Sequence, residues 1–460
     1  MGDVVSGAAT DRAGVTGALA DLALGVTADT LPAELRDLAR RAVLDYGGCA
    51  LAGSATEAAA IAAGWVGSLG GVPEAAVVGS PVRAPAALAA LANGVAAHAL
   101  DLDEYSPTMT HPSVCLVPAL LALGERRAAS GRELLAAYVA GAETIVRLGR
   151  ALNPVHYDRG WHATGTLGVI GAAVAAARML ELDRDALRSA VAIAASTSSG
   201  LQQNFGSMVK PLHAGHAAFH GVSAAELAAR GFGGSDRVLD GRLGLGAVLS
   251  GDSGALTPAA FAADRWELLD TGLVFKRYAC CGAIHAALDA LLALRREHGL
   301  APEDVTWIGC AVNRRAPDIL VHRDPVTGDE GRFSLEHSLA VALADGRAGL
   351  AQFTDERVAD PALRELTARV EVTVDERLPA EPGRFPATVT VRTAGGERLS
   401  LHVDEPRGFP ANPLSEAELA SKFRECASGR LDGSRVDELL AMLSGFDELP
   451  DAGAVSRALA

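Results

Sequence analysis

The sequence predicts a mainly α protein with a smaller α+β second domain, and three observations lead there. A chain of 460 residues is too long for one ordinary core. Aromatics make up only 4 % against 50 glycines and abundant alanine, and small residues let helices approach closely, which favours a packed helical body over a sandwich. The pattern then changes after Leu269, from helical periodicity to short alternating runs. The division expected from this is an all-helical domain over residues 1–268, completed by 404–460, with an α+β lid domain over 269–403.

Thr30 and Pro32 signal the start of a helix whose apolar face carries Leu35, Leu38, Ala42 and Val43. Leu88, Leu91, Ala92, Val95 and Ala99 recur at helical spacing over 84–99. Further helices are expected over 131–152, 165–180, 185–197 and 215–230, with glycine-rich loops at 231–234 and 241–254. In the second domain a helix over 286–298 precedes a strand over 305–312, and Val370, Val372 and Val374 mark another. Val389 and Val391 lead through Gly395-Gly396 to Leu399, Leu401 and Val403, a hairpin pattern. Ser415 and Glu418 form a capping box that restarts helices over 416–427 and 434–443.

Composition narrows the function. Hydrophobic residues at 49 % and charged ones at 21 % are the range of a soluble globular protein. The net charge of −15 argues against nucleic acid and anionic membranes as partners. The six cysteines show no CxxC spacing, so reduced thiols in a cytoplasm are the expectation. Met1 to Arg12 lacks the basic-then-apolar order of a signal peptide, and the longest apolar run, 165–177, is shorter than a membrane span needs.

Four segments hold polar groups that a helical core does not otherwise require. The first runs from His98 through Asp101, Asp103, Glu104 and Tyr105 to His111-Pro112-Ser113. Its carboxylates can orient imidazoles or a substrate hydroxyl; a helix end followed by a solvated acidic loop is the alternative. The second is Gly160-Trp161-His162, opening a Gly/Ala helix whose N–H groups suit an anion, unless the histidine only packs locally. The third sets Lys210 before His213, His216 and His220, which share a helical face and suit either a polar cleft or a metal-dependent hydrolase. The fourth is Lys276-Arg277 with Cys280, Cys281 and His285; following Leu273-Val274-Phe275, Lys276 is expected to be partly buried and to need an anion. Two lysines with nearby histidines, in an acidic chain, suggest a site that holds a small carboxylate and moves protons. Gly251-Asp252-Ser253-Gly254 copies a serine-protease loop in the wrong surroundings, and no Walker A, HExxH or GxGxxG pattern has supporting context.

At these segments, and at Phe333-Ser334, Pro406-Arg407-Gly408 and Lys422-Phe423, the chain resembles the MmgE/PrpD family of 2-methylcitrate dehydratases, cis-aconitate decarboxylases and iminodisuccinate epimerases. The likeness spans nearly the whole chain and rests on the joint order of motifs that are individually weak. It implies a homodimer and catalysis without metal or organic cofactor, on a small di- or tricarboxylate. By position the family's site falls on Asp101, His111, His162, Lys210 and Lys276, with Tyr105, His213, Arg277, Cys281 and His337 as further substrate contacts. On this reading the lysines hold developing enolate-like oxygens, His111 and His162 act as base and acid, and Asp101 fixes an imidazole tautomer. The resemblance also implies departures from the mammalian-type decarboxylase, which has histidine at the place of Cys281, tyrosine at that of His337 and threonine at that of Tyr105. Dehydration of the 2-methylcitrate type is therefore the first expectation, decarboxylation or epimerisation the second, and an inactive scaffold the remaining one.

Overall fold

The computed structural model describes residues 14–381 and 383–460, so the N-terminal Met1–Arg12 segment lies outside them. The helical body is built from α1 (Val15–Gly25), α2 (Ala33–Gly53), α3 (Glu57–Leu69), α4 (Ala86–His98), α5 (Ser113–Arg127), α6 (Gly131–Leu152), α7 (Ala163–Met179), α8 (Arg184–Ala195) and α9 (Val209–Ala229). Every residue of α7 except Arg178 is buried, which suits a helix made mostly of Gly, Ala and other apolar residues. Helix α5 is buried on all sides over its first three turns and so has no amphipathic signature to read in the sequence.

Close helix crossings set the geometry of the site. A Cβ on Gly94 of α4 would lie 2.8 Å from Gly215 Cα of α9, and one on Gly215 would lie 2.5 Å from Leu91 O. Only glycine permits that approach. Helix α9 starts at Val209, well before the expected 215, because Pro211 is tolerated in a first turn where its missing N–H has no intrahelical acceptor. The earlier start places Lys210 and His213 on successive turns of a helix clamped against α4.

The mixed sheet follows the expected runs: β1 (Val305–Val312), β2 (Val370–Val374), β3 (Ala387–Thr393) and β4 (Arg398–Val403), in spatial order β2-β1-β3-β4. Strands β1 and β2 are parallel, and the other neighbours are antiparallel. Helices α10 (His285–His298) and α11 (Leu335–Asp345) bury Leu288, Leu291, Leu339 and Val341 with Ile308, Val389 and Val391 in a core separate from that of the helical body. Helices α12 (Glu416–Ala427) and α13 (Gly433–Ser444) return to the larger core, where Phe423 and Leu443 pack over Gly47 of α2. The mainly α architecture with a small α+β part is as expected from the sequence. Among the described residues, no single helix is long and apolar enough to cross a membrane.

Candidate active site

Three loops and the start of α9 meet around a cavity of about 530 Å³. The loop between α4 and α5 supplies Asp101, Tyr105 and His111, the residue before α7 supplies His162, and the 272–284 segment supplies Lys276 and Cys281. Two reciprocal backbone bonds, Tyr105 N to Val274 O (3.1 Å) and Val274 N to Tyr105 O (2.7 Å), staple the first loop to the third. That staple brings Lys276 against Asp101, 175 residues earlier in the chain.

Asp101 receives both lysines. Lys210 Nζ bonds its Oδ1, while Lys276 Nζ lies 3.1 Å from Oδ2 and donates to the Asp101 carbonyl at 2.7 Å. Burial opposes the Asp101 charge, but the two ammonium groups outweigh it and hold the carboxyl below its usual range. Burial likewise opposes the Lys276 charge, and Asp101 more than compensates, so its pKa is raised. Asp101 also sits at φ +51°, in the left-handed region, a conformation that short acidic side chains tolerate better than most. Aromatic faces complete the cation environment, with Lys210 Nζ 5.8 Å from Phe205 and 5.5 Å from Phe333, and Lys276 Nζ 5.7 Å from Tyr105.

Asp103 receives two imidazoles instead. His111 Nδ1 lies 2.7 Å from Oδ2, and His98 Nδ1 3.0 Å from Oδ1. Burial opposes the Asp103 charge, yet the two histidines hold it well below the usual carboxylate range. An ionised carboxylate only accepts, so both Nδ1 atoms must carry hydrogen and Nε2 is the basic nitrogen of His111. Burial lowers the His111 pKa against the pull of Asp103, and it lowers His98 to about 4. His162 is pushed well below its ordinary value by burial and by Lys210; its Nδ1 pairs with His213 Nδ1 at 2.9 Å. The Cys281 thiol is pushed up to about 11 by burial and by Asp101, so it lines the cavity as a neutral group.

A supporting layer fixes the acidic loop. Lys422 of α12 bonds Asp45 of α2 and donates to Leu102 O at 2.8 Å, and Asp45 Oδ2 accepts from Glu104 N at 3.0 Å. Glu104 in turn accepts from Ser113 N at 2.9 Å, satisfying the first turn of α5.

The structure thus gathers Asp101, Tyr105, His111, His162, Lys210, Lys276 and Cys281 around one cavity, with His213 directly behind His162. Three sequence expectations need correction. Asp101 fixes no imidazole tautomer, because its oxygens are taken by lysines; Asp103 has that task. Arg277 points outward, 49 % exposed, and pairs with Glu418 at 3.1 Å, since the residue next to a buried lysine in an extended segment faces the other way. His337 sits in the first turn of α11 with Nε2 3.3 Å from Gln352 O, and it lines a separate surface hollow. Nor do His213, His216 and His220 form a ligand set; among the described residues the group of three with ligand atoms within 4.8 Å is His98, Asp103 and His111, whose Nδ1 atoms already bond the carboxylate. Sequence reasoning gave no role to His98 and Asp103 individually, although they belong to the acidic segment, and it missed Phe205, which lies in no motif.

Two lysines, His111 and His162 thus line one cavity beside the helical body, with Asp103 bonded to His111. Residues 17–256 match the MmgE/PrpD N-terminal domain and residues 278–447 the MmgE/PrpD C-terminal domain, and the chain belongs to the MmgE/PrpD family. It is 31 % identical to human cis-aconitate decarboxylase, over 91 % of this chain and 89 % of that protein. The mouse cis-aconitate decarboxylase is 30 % identical (97 % and 93 % covered), and that of Aspergillus terreus 25 % (96 % and 94 %).

Proposed function

We propose that the protein is a lyase acting on a small tricarboxylate, and that its reaction is decarboxylation of cis-aconitate or a close analogue. The observation that carries this reading is the convergence of two lysines on the single carboxylate of Asp101, beside an imidazole whose tautomer Asp103 sets. Two ammonium groups against one carboxylate leave a positive charge for a ligand. The similarity to cis-aconitate decarboxylases moves this reaction ahead of the dehydration that the sequence placed first.

In such a reaction the carboxylate on the saturated carbon leaves as carbon dioxide. Its C–C electron pair becomes the new double bond, and the old π pair takes a proton at the carbon that was vinylic. One proton is consumed for each carbon dioxide released. Negative charge develops on the carboxylate beside the protonated carbon, where Lys210 and Lys276 stabilise it in a dry site. His111 delivers the proton from Nε2. It rests neutral, and the charges of an arriving tricarboxylate raise its pKa and load it. His162, which also lines the cavity, holds the substrate orientation with His213 behind it.

The neutral resting state of His111 favours a second reading, dehydration of a 2-methylcitrate-type hydroxy acid, because a base needs no prior loading. Incubation with cis-aconitate and with 2-methylcitrate in deuterated water, followed by NMR, separates the two. The proposal expects carbon dioxide from cis-aconitate and one deuterium in the product methylene. Water loss from 2-methylcitrate with no carbon dioxide from cis-aconitate overturns it, and deuterium exchange without net loss marks an epimerase.

A further inference from the structure

A second cavity, of about 600 Å³, lies against the first, and Asp101, Lys210 and Phe333 line both. Its wall also carries Arg332 and His98. Arg332 is only 6 % exposed, and among the described residues its guanidinium makes one hydrogen bond, from Nη1 to Asp329. Among the described residues its Nε has no partner, and neither does His98 Nε2 on the same wall; both are buried. A guanidinium has five N–H donors in a planar fork, and leaving most of them unused in a buried setting is costly. The acids at the rim, Glu57 and Asp329, are exposed, so water screens them.

We propose that this chamber binds a carboxylate on Arg332, with Lys210 shared between the two cavities. The proposal rests on the reading of the first cavity as a polycarboxylate site. A planar fork with free donors matches a carboxylate in two parallel hydrogen bonds, and Lys210 adds charge from the shared wall. The carboxylate is either one arm of the substrate reaching past Phe333 or a separate small acid from solution. The Arg332 backbone is not part of the device; its carbonyl accepts from Cys281 N at 3.0 Å and keeps doing so in a side-chain variant.

Calorimetric titration with propane-1,2,3-tricarboxylate and with glutarate tests this, on the whole protein and on the Arg332→Gln and Arg332→Lys variants, with melting curves as the control for folding. The expected result is at least a tenfold weaker tricarboxylate isotherm for Arg332→Gln, partly recovered in Arg332→Lys. One tricarboxylate per chain with glutarate binding unchanged identifies an arm of the substrate. A second molecule of either acid per chain, lost in Arg332→Gln, identifies a separate carboxylate. Isotherms that stay within twofold in Arg332→Gln, or that weaken equally for both acids at one per chain, overturn the proposal. If the unaltered protein binds neither acid, the polycarboxylate reading of the first cavity falls too, which separates the two failures.

Discussion

Asp101 and Asp103 stand two residues apart in one loop, both buried, yet they serve opposite kinds of partner. Asp101 faces two ammonium groups with a single carboxylate, whereas Asp103 orients two rings whose pKa values burial lowers. On the proposed function, the first arrangement keeps positive charge for an anion, and the second sets up a nitrogen to exchange a proton. Glu104, the next acid in the loop, does neither; burial and the nearby Asp103 charge push its pKa well up, and its Oε1 accepts from Ser113 N at the start of α5. The same chemical function, placed three times in four residues, acquires three tasks from what packs against it.

Breaking the lysine side of this comparison should have the largest effect. Lys210→Ala should lower kcat by about 10³ or more, the order expected when a charge aimed at a developing oxyanion is removed. His162→Ala should likewise abolish turnover with the fold retained, and near-normal turnover in both variants would sink the assignment. Asp101→Asn leaves two buried ammonium groups without their counter-charge. Its cost should be about 3–5 kcal/mol, read as a lower denaturation midpoint; an unchanged midpoint means the lysines find other anions.

On the imidazole side, Asp103→Asn should lower kcat by about 10²–10⁴ while KM changes less, because an amide no longer dictates the Nδ1–H tautomer. A KM effect alone would instead assign Asp103 to substrate binding.

Stability should respond to pH in a defined window. Burial holds His98, His156 and His213 at about 4 in the folded chain, against about 6.5 when unfolded. Above pH 6.5 both states leave these rings neutral, and the stability is fully present. Between 6.5 and 4 the unfolded chain takes up protons that the folded one refuses, so stability falls. Denaturant midpoints measured across that window should decline, and a flat profile contradicts the buried neutral rings. The smallest effect belongs to Arg277→Ala, which removes an exposed ion pair worth about 0–1 kcal/mol; turnover should stay within twofold.

Much of the fold was legible because it rests on local signals. The Thr30–Pro32 start, the Ser415–Glu418 box and the alternation around Gly395-Gly396 act within a few residues. Helix α5, buried on all sides, showed no period to read, whereas α7, equally buried, was legible by its Gly and Ala composition. Within the site the residue types were visible, since lysines and histidines in an alanine-rich, acidic chain stand out, but their pairing was not. The apolar run before Lys276 did point to its burial, but the outward turn of its neighbour Arg277, expected to contact substrate, was not readable.

The sequence by itself determined the family, the mainly helical architecture and the segments that line the cavity, because composition, periodicity and motif order are properties of the chain alone. The tertiary structure decided which acid meets which base. Asp101 meets Lys210 and Lys276 across 109 and 175 residues, and Lys422 reaches Asp45 across 377. Such contacts depend on how helices cross and loops are stapled, as at Gly94 and Gly215 or Tyr105 and Val274, and distance along the chain says nothing about them.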